Sequence, residues 1–176
     1  IGTFNDRLRD AARGGGPFDA GEALRREQGF VNGLYTAPNE LSGANDTTRE
    51  ALFGAADRIT VGMAGNLRTF KLVDRNGTTK TGATIAYNGA QTGYTVDPQE
   101  VINYVDKHDN QTLFDISAYK APTGTTMAER VRMQAVGMSL VVLGQGVPFL
   151  HMGMDLLRSK SMERDSYDSG DWFNRV

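Results

Sequence analysis

VINYVDKHDN, at residues 101–110, decides the predicted fold because it joins an apolar run to a dense polar cluster. Val, Ile and Tyr dominate residues 101–105, and these residue types favour extended backbone, so we predict a buried strand there. The polar residues 107–110 follow at the carboxyl end of that strand. Parallel α/β barrels carry their chemistry at that end of their strands, so a candidate site is predicted in this cluster.

A helix and a second strand are predicted downstream. Thr126 and Glu129 have the spacing of a capping box, which marks a helix start. The apolar residues at 131–142 cover most of the helix circumference, so we expect this helix to be deeply buried. The apolar run at 147–152 predicts a further strand. Because strand, helix, strand connections of this length are almost always parallel, residues 104–107 and 147–152 are expected to be neighbouring parallel strands.

The upstream part predicts a strand, two helices and an insertion. Residues 3–12 contain a short strand and a capped helix, which the Gly-Gly-Gly-Pro sequence after residue 13 ends. The stretch 14–48 is rich in Gly, Asn, Thr and Ser and predicts a long surface excursion. A second helix follows at about 47–63, and the Asn-Gly pairs within 69–95 predict an irregular insertion with a hairpin. This order indicates consecutive βα units of a parallel barrel or open sheet.

Composition and charge exclude several classes of function. The 176 residues include 21 glycines and no cysteine, and the formal net charge is −2. Disulfides and thiolate chemistry are therefore excluded, and the absence of cysteine fits both cytosol and secretion. Nucleic acid is not expected as a partner because its binding normally needs a basic face. Membrane insertion is not expected either, since no apolar run reaches about 20 residues.

The cluster at 107–110 has two interpretations. A carboxylate beside an imidazole, here His108 and Asp109, can bind sugar hydroxyls and favour positive charge at an anomeric carbon. Such pairs also serve as structural hydrogen-bond partners. The residues alone leave these readings equally open.

A second polar cluster spans residues 158–171. Its aspartates Asp165, Asp168 and Asp171 are three residues apart, whereas an EF-hand needs alternate ligands and a terminal Glu, so that calcium loop is rejected. A solvated loop, a looser calcium site, or the wall of a polar cleft through Asp165 and Tyr167 remain open. His151 lies inside an apolar run and is interpreted as a hydrogen-bonded core histidine.

Three stretches resemble the pullulanase and limit-dextrinase branch of the α-amylase superfamily, whose members are starch-debranching enzymes built on a TIM barrel. They are YVDKHDNQTLFD at 104–115, LLRSKSMERDSYDSGDWFNRV at 156–176 and IGTFNDRLRDAARGG at 1–15. The resemblance implies that residues 1–176 form part of an α/β catalytic barrel, a partial (β/α)8 fold of roughly strands six to eight, truncated at both ends.

The resemblance also implies roles for individual residues. His108 and Asp109 correspond to a pair that holds hydroxyls of the sugar whose bond is cut, with Asp109 as transition-state stabiliser. Asn110 would be a neighbouring substrate contact, and Asp165 and Tyr167 would line the cleft for an α-glucan. The family's chemistry requires no cofactor and no catalytic metal, although structural calcium is frequent in the superfamily.

The family's nucleophile and acid/base are not recognisable in the chain. The family carries a Gly-x-Arg-x-Asp type motif and a Glu-bearing strand, and neither occurs here. We therefore expect the chain alone to lack activity, to miss the upstream half of its barrel and to associate through exposed edges. The competing functions are a non-catalytic carbohydrate-binding or structural piece and another debranching specificity such as isoamylase, against which residues 158–176 argue.

Overall fold

A computed structural model describes residues 2–176, which form six α-helices and seven short strands. The helices are α1 (Asp6–Arg13), α2 (Gly21–Arg26), α3 (Asp46–Met63), α4 (Leu113–Lys120), α5 (Met127–Val142) and α6 (Asp171–Asn174). The strands are β1 (Thr3–Phe4), β2 (Lys71–Val73), β3 (Thr79–Thr81), β4 (Ala86–Tyr87), β5 (Ala90–Gln91), β6 (Val101–Asn103) and β7 (Val147–Pro148).

A three-stranded parallel sheet in the order β1-β6-β7 organises the chain. Phe4 pairs with Ile102, and Ile102 pairs with Val147 on the other side. The predicted parallel pairing of neighbouring strands is confirmed, but it is made by residues 102–103 and 147–148, and the expected strand residues 104–107 lie beyond the end of β6. The strands are shorter than predicted, because β6 ends at Asn103, and two helices, α4 and α5, lie between β6 and β7 instead of one.

Buried amide side chains connect the three strands. Asn5 caps α1 through its side-chain oxygen and donates from Nδ2 to Oδ1 of Asn103 at 2.7 Å. Asn103 in turn donates to the carbonyl of Gln145 at 2.6 Å, just before β7. Because buried polar groups need partners, this series of bonds fixes how the strands align.

The main core lies among the helices α1, α3, α4 and α5. Leu8 and Ala12 of α1 pack with Ala55 and Ile59 of α3. The expectation that α5 is deeply buried is wrong. Only one face is covered, and apolar residues on the others are exposed, among them Met127, Val131, Val136 and Val142. Met152, at the end of the apolar run 147–152, is also exposed, whereas Met154 is buried.

The stretch 14–48 is not a simple surface excursion. It contains α2 and several buried amide side chains. Asn32 donates to the carbonyl of Arg13 at 2.9 Å, and Asn39 donates to the carbonyl of Lys120 at 2.8 Å. The polar side chains of this stretch therefore serve as internal hydrogen-bond partners for backbone groups and do not form a solvated loop.

The predicted insertion forms two small hairpins. β2 pairs antiparallel with β3, and β4 pairs antiparallel with β5. Asn88 and Gly89, both with positive φ, form the two-residue turn of the second hairpin, as the Asn-Gly pair predicts. Val61, Leu72 and Ile85 form a small separate core beneath them.

The backbone at the end of α1 passes so close to the backbone of Gly29 that no side chain fits at position 29. A Cβ at position 29 would lie 2.2 Å from the backbone nitrogen of Gly14 and 2.5 Å from the carbonyl oxygen of Ala12. Both atoms belong to the backbone and cannot rotate away. Glycine is therefore required at this crossing.

Gly29→Ala is expected to lower the free energy of unfolding by about 1–3 kcal/mol or more, because the backbone must shift to admit the methyl group. Gly16→Ala is the matched control, since its nearest heavy atom outside the flanking residues is 4.0 Å away. We expect that control to change the free energy by less than about 0.5 kcal/mol. Thermal unfolding of both variants measures the difference, and equal values would contradict the close crossing.

Candidate functional site

A cleft of about 500 Å³ opens at the carboxyl ends of β1 and β6. Parallel α/β sheets bind ligands at this edge, so the position itself favours a functional site. Its walls combine aromatic rings with carboxylates, including Phe4, Phe18, Tyr104, Asp6, Asp109 and Asp165. Charged and polar side chains thus converge beside aromatic rings, a combination that can bind a polar small molecule.

Tyr104 forms the floor of the cleft immediately after β6. Its hydroxyl donates to Oδ1 of Asp6 and accepts a hydrogen bond from Arg9. Arg9 also pairs with Asp6 at 2.9 Å and with Asp10 at 2.7 Å. Burial, together with the bond to Asp6, raises the pKa of Tyr104 well above its ordinary value. The phenol therefore stays protonated and serves as a fixed donor to Asp6.

Asp109 lies at the rim of the cleft between two basic groups. Lys107 donates to its Oδ2, and Nε2 of His108 lies 3.1 Å from its Oδ1. The bond from Lys107 holds the pKa of Asp109 below its ordinary value. Because the carboxylate is 51% exposed, it remains accessible to a ligand while fully ionised.

Asn110 is fixed by the loop that follows α1. It adopts a left-handed backbone conformation, with φ of 62°, and donates from Nδ2 to the carbonyl of Pro17 at 2.9 Å. Arg164 donates to the same carbonyl at 2.7 Å. One backbone oxygen thus joins three distant segments, and Asn110, Arg164 and Pro17 all contribute to the wall of the cleft.

The structure brings some of the expected site residues together and leaves others apart. Asp109, Asn110 and Asp165 share the cleft. The side chain of His108 is 79% exposed and contacts the cleft only through Asp109. Tyr167 is 83% exposed and does not line the cleft.

Sequence reasoning did not identify Tyr104, Arg9 or Phe18 as part of the site. Tyr104 and Phe4 could have been found from the parallel pairing of β1 and β6, because residues at the carboxyl ends of paired strands meet at one edge. Phe18 could not have been found in this way, because the polar segment around it shows neither helical nor strand periodicity that would predict its position.

His151 supports the loop before α4. Arg158, which can only donate, lies 2.7 Å from Nε2 of His151, so this nitrogen accepts. Nδ1 is then the donor to the buried carboxylate of Asp106, at 3.2 Å. Asp106 also accepts from the backbone nitrogen of Leu113 at 2.8 Å and so holds the first turn of α4. The interpretation of His151 as a hydrogen-bonded histidine is confirmed.

Across residues 2–176, no three His, Asp or Glu side chains are grouped so that they could hold a metal ion. In the same part of the chain, no helix has both the length and the apolar character needed to cross a bilayer.

A parallel sheet with a polar and aromatic cleft at its carboxyl edge defines an α/β protein with a ligand site of the enzyme type. Comparison with known proteins narrows this class, although no family model matches the sequence. The chain is homologous over its whole length to pullulanases. It is 58% identical over 176 residues to the pullulanase of Klebsiella aerogenes, and 44% identical over 178 aligned residues to the chloroplastic pullulanase 1 of Arabidopsis thaliana.

A solved structure supports the same relationship. The maltotriose complex of PulA from Klebsiella pneumoniae superposes with a TM-score of 0.95 at 57% identity, covering 100% of this chain and 19% of that one. The chain spans only 16% and 18% of the length of these two curated relatives. Both matches cover 100% of the chain itself.

Lys107→Met is expected to raise the pKa of Asp109 towards the ordinary value of an aspartate, because the ammonium that favours the charged form is gone. The depressed pKa stabilises the fold above the unfolded pKa, and this contribution is lost as the pH falls through the folded pKa. At this exposed site the loss at neutral pH should stay below about 1 kcal/mol. An NMR titration of the Asp109 carboxyl carbon measures the shift.

Lys107→Arg is the control for this titration, since it keeps a cation at the same position. We expect the pKa of Asp109 to remain depressed in that variant. A titration of Asp109 that is identical in Lys107→Met and in the unmodified protein would contradict the assigned cause.

Proposed function

We propose that this chain is part of the catalytic barrel of a pullulanase-type glycoside hydrolase. The reaction is hydrolysis of α-1,6-glucosidic branch linkages in pullulan, glycogen, amylopectin and limit dextrins, with retention of anomeric configuration. The observation that carries the proposal is the cleft at the carboxyl edge of the sheet, where Asp109, Asn110 and Asp165 converge in a chain homologous to pullulanases. The maltotriose bound to the Klebsiella pneumoniae relative favours an α-glucan as the ligand.

The barrel assignment takes residues 1–176 as one portion of a (β/α)8 domain, with β1, β6 and β7 as strands six to eight. The parallel order and the helices between β6 and β7 support it. The outer strands β1 and β7 each pair on one side only, and Phe4 and Val147 on them are exposed. A closed barrel has no such edges, so further strands of a longer protein are proposed as their partners. Without them, these edges favour self-association.

Asp109 is assigned the role of transition-state stabiliser. Glycoside cleavage develops positive charge at the anomeric carbon, and a fixed carboxylate stabilises that charge. Lys107 keeps the carboxylate ionised, as the lowered pKa indicates, and the side chain is accessible from the cleft.

The remaining polar residues are assigned to binding. Asn110 and Asp165 reach the cleft and offer amide and carboxylate groups to sugar hydroxyls. His108 contributes a hydroxyl contact at the rim beside Asp109. Tyr167 lies outside the cleft and would contact only a glucan that extends beyond it.

The nucleophile and the general acid are assigned to other parts of the longer protein. A retaining glycosidase needs two carboxylates about 5 Å apart on either side of the scissile bond. The lowered pKa of Asp109 does not suit a general acid, which must carry a proton, and the family resemblance assigns Asp109 to stabilisation rather than to nucleophilic attack. The chemistry needs no cofactor in this proposal, and any structural calcium would be held outside the groups of residues described above.

In the full-length protein, Asp109→Asn is expected to lower kcat about a hundred- to a thousandfold while changing KM little, because the amide keeps the shape but loses the charge. His108→Ala should cost less in kcat and raise KM more, since it removes a contact made equally in the ground state and the transition state. Steady-state hydrolysis of pullulan measures both. Near-normal turnover by Asp109→Asn would contradict this role and favour the alternative, in which His108 and Asp109 are structural hydrogen-bond partners.

The 176-residue chain alone is expected to release no reducing ends from pullulan above the buffer rate, because it lacks the recognisable nucleophile and acid. Reducing-end release that Asp109→Ala abolishes would overturn this expectation. Full-length protein that binds maltotriose but cleaves no linkage would instead favour the non-catalytic carbohydrate-binding alternative.

A further inference from the structure

Lys160 is a buried lysine that no part of the proposed reaction uses. The residue is 1% exposed, and its ammonium donates to three backbone carbonyls. These belong to His108 at 2.8 Å, Asn110 at 2.9 Å and Arg164 at 3.2 Å. An ammonium has three donors and no acceptor, so all of its hydrogen-bonding capacity is spent on these oxygens.

The three carbonyls have a specific relation to the cleft. Two of them lie on either side of Asp109 in the chain, and the third immediately precedes Asp165. Asp109 and Asp165 are both carboxylates of the cleft wall, although they lie on separate loops. A single ammonium therefore holds the backbone from which both carboxylates project.

The backbone of Lys160 is itself fixed. Its amide nitrogen donates to Oδ2 of Asp115 at 2.7 Å, and the hydroxyl of Ser159 donates to Oδ1 of the same carboxylate. Asp115 is buried in the first turn of α4, where its charge is favourable. The contacts thus run from a rigid helix through Lys160 to both loops.

We propose that Lys160 is a positioning residue that sets the separation of Asp109 and Asp165 across the glucan cleft. This role rests on the proposed function, because it gives the two carboxylates a shared substrate. Lys160 does not line the cleft and acts only through the two loops. Catalytic groups must be held within fractions of an ångström. Loss of the hydrogen bonds from Lys160 to the two loops therefore affects turnover more than overall folding.

Lys120 provides a matched control within the same chain. It is also 1% exposed and also donates to three backbone carbonyls, those of Arg13 at 3.1 Å, Gly14 at 2.6 Å and Glu27 at 2.7 Å. None of these residues is adjacent to Asp109 or Asp165 in the chain. Loss of Lys120 therefore reports the general cost of removing a buried ammonium, together with any loosening that Arg13 passes on to Val105 and Gln111.

The test compares Lys160→Met with Lys120→Met in the full-length protein. Both variants should lower the Tm by similar amounts, because each leaves three carbonyls without a donor. Lys160→Met alone should lower kcat on pullulan about 10- to 100-fold. Hydrogen exchange followed by mass spectrometry should show faster exchange in 164–166 only in that variant, and a larger increase in 107–111 than Lys120→Met shows. If Lys160→Met does not fold, Lys160→Gln, which keeps part of the donor capacity, should show the same selective losses at smaller size.

Three results would overturn the role of Lys160. Turnover within about threefold of the unmodified protein is one, and equal losses of kcat in the Lys160 and Lys120 variants are another. Unchanged exchange of both loops is the third. Inactivity of the unmodified full-length protein on pullulan would overturn the proposed function. The three results above leave that activity intact, so the two failures are distinguishable.

Discussion

Backbone carbonyls of the irregular segment 104–112 must find hydrogen-bond donors inside the protein, and the rest of the site depends on how they do so. The segment leaves the sheet after Asn103, so the strand ladder cannot satisfy them. Arg13 donates to Val105 at 3.0 Å and to Gln111 at 2.7 Å, and Lys160 satisfies two more from the opposite side. An unsatisfied buried carbonyl costs about 1–3 kcal/mol, so these cations make a non-repetitive backbone rigid.

Electrostatics of the cleft follow from this arrangement. Burial lowers the pKa of Arg13 and of Lys160, because both cations have left water. Nearby buried carboxylates, Asp106 and Asp115, offset part of that cost. Arg13 and Lys160 serve the backbone and do not line the cleft, whereas Arg9, Lys107 and Arg164 line it together with the carboxylates. Buried charge here specifies a geometry rather than adding net stability.

Sequence patterns predicted the parts of the fold that local chemistry controls. The strand at Val101, the capping box at Thr126 and the Asn88-Gly89 turn all follow from short-range preferences, and each is present. The prediction that α5 is deeply buried was wrong, because apolar residues all around a helix do not show which of its faces other elements cover. Lys160 could not be found, since a lysine in a charged stretch resembles a solvated residue until tertiary contacts are known. The convergence of Asp109 and Asp165 likewise depends on contacts that no local pattern contains.

The carbonyl of Pro17 has a consequence for how the cleft forms during folding. Its two donors, Asn110 and Arg164, lie 93 and 147 residues away along the chain. Each contact closes a long loop, and that entropic cost must be met before the contact contributes anything. The cleft is therefore complete only when the segments around Pro17, Asn110 and Arg164 have all docked. A ligand bound there would bridge those parts, and so protect both ends of the chain against proteolysis at once.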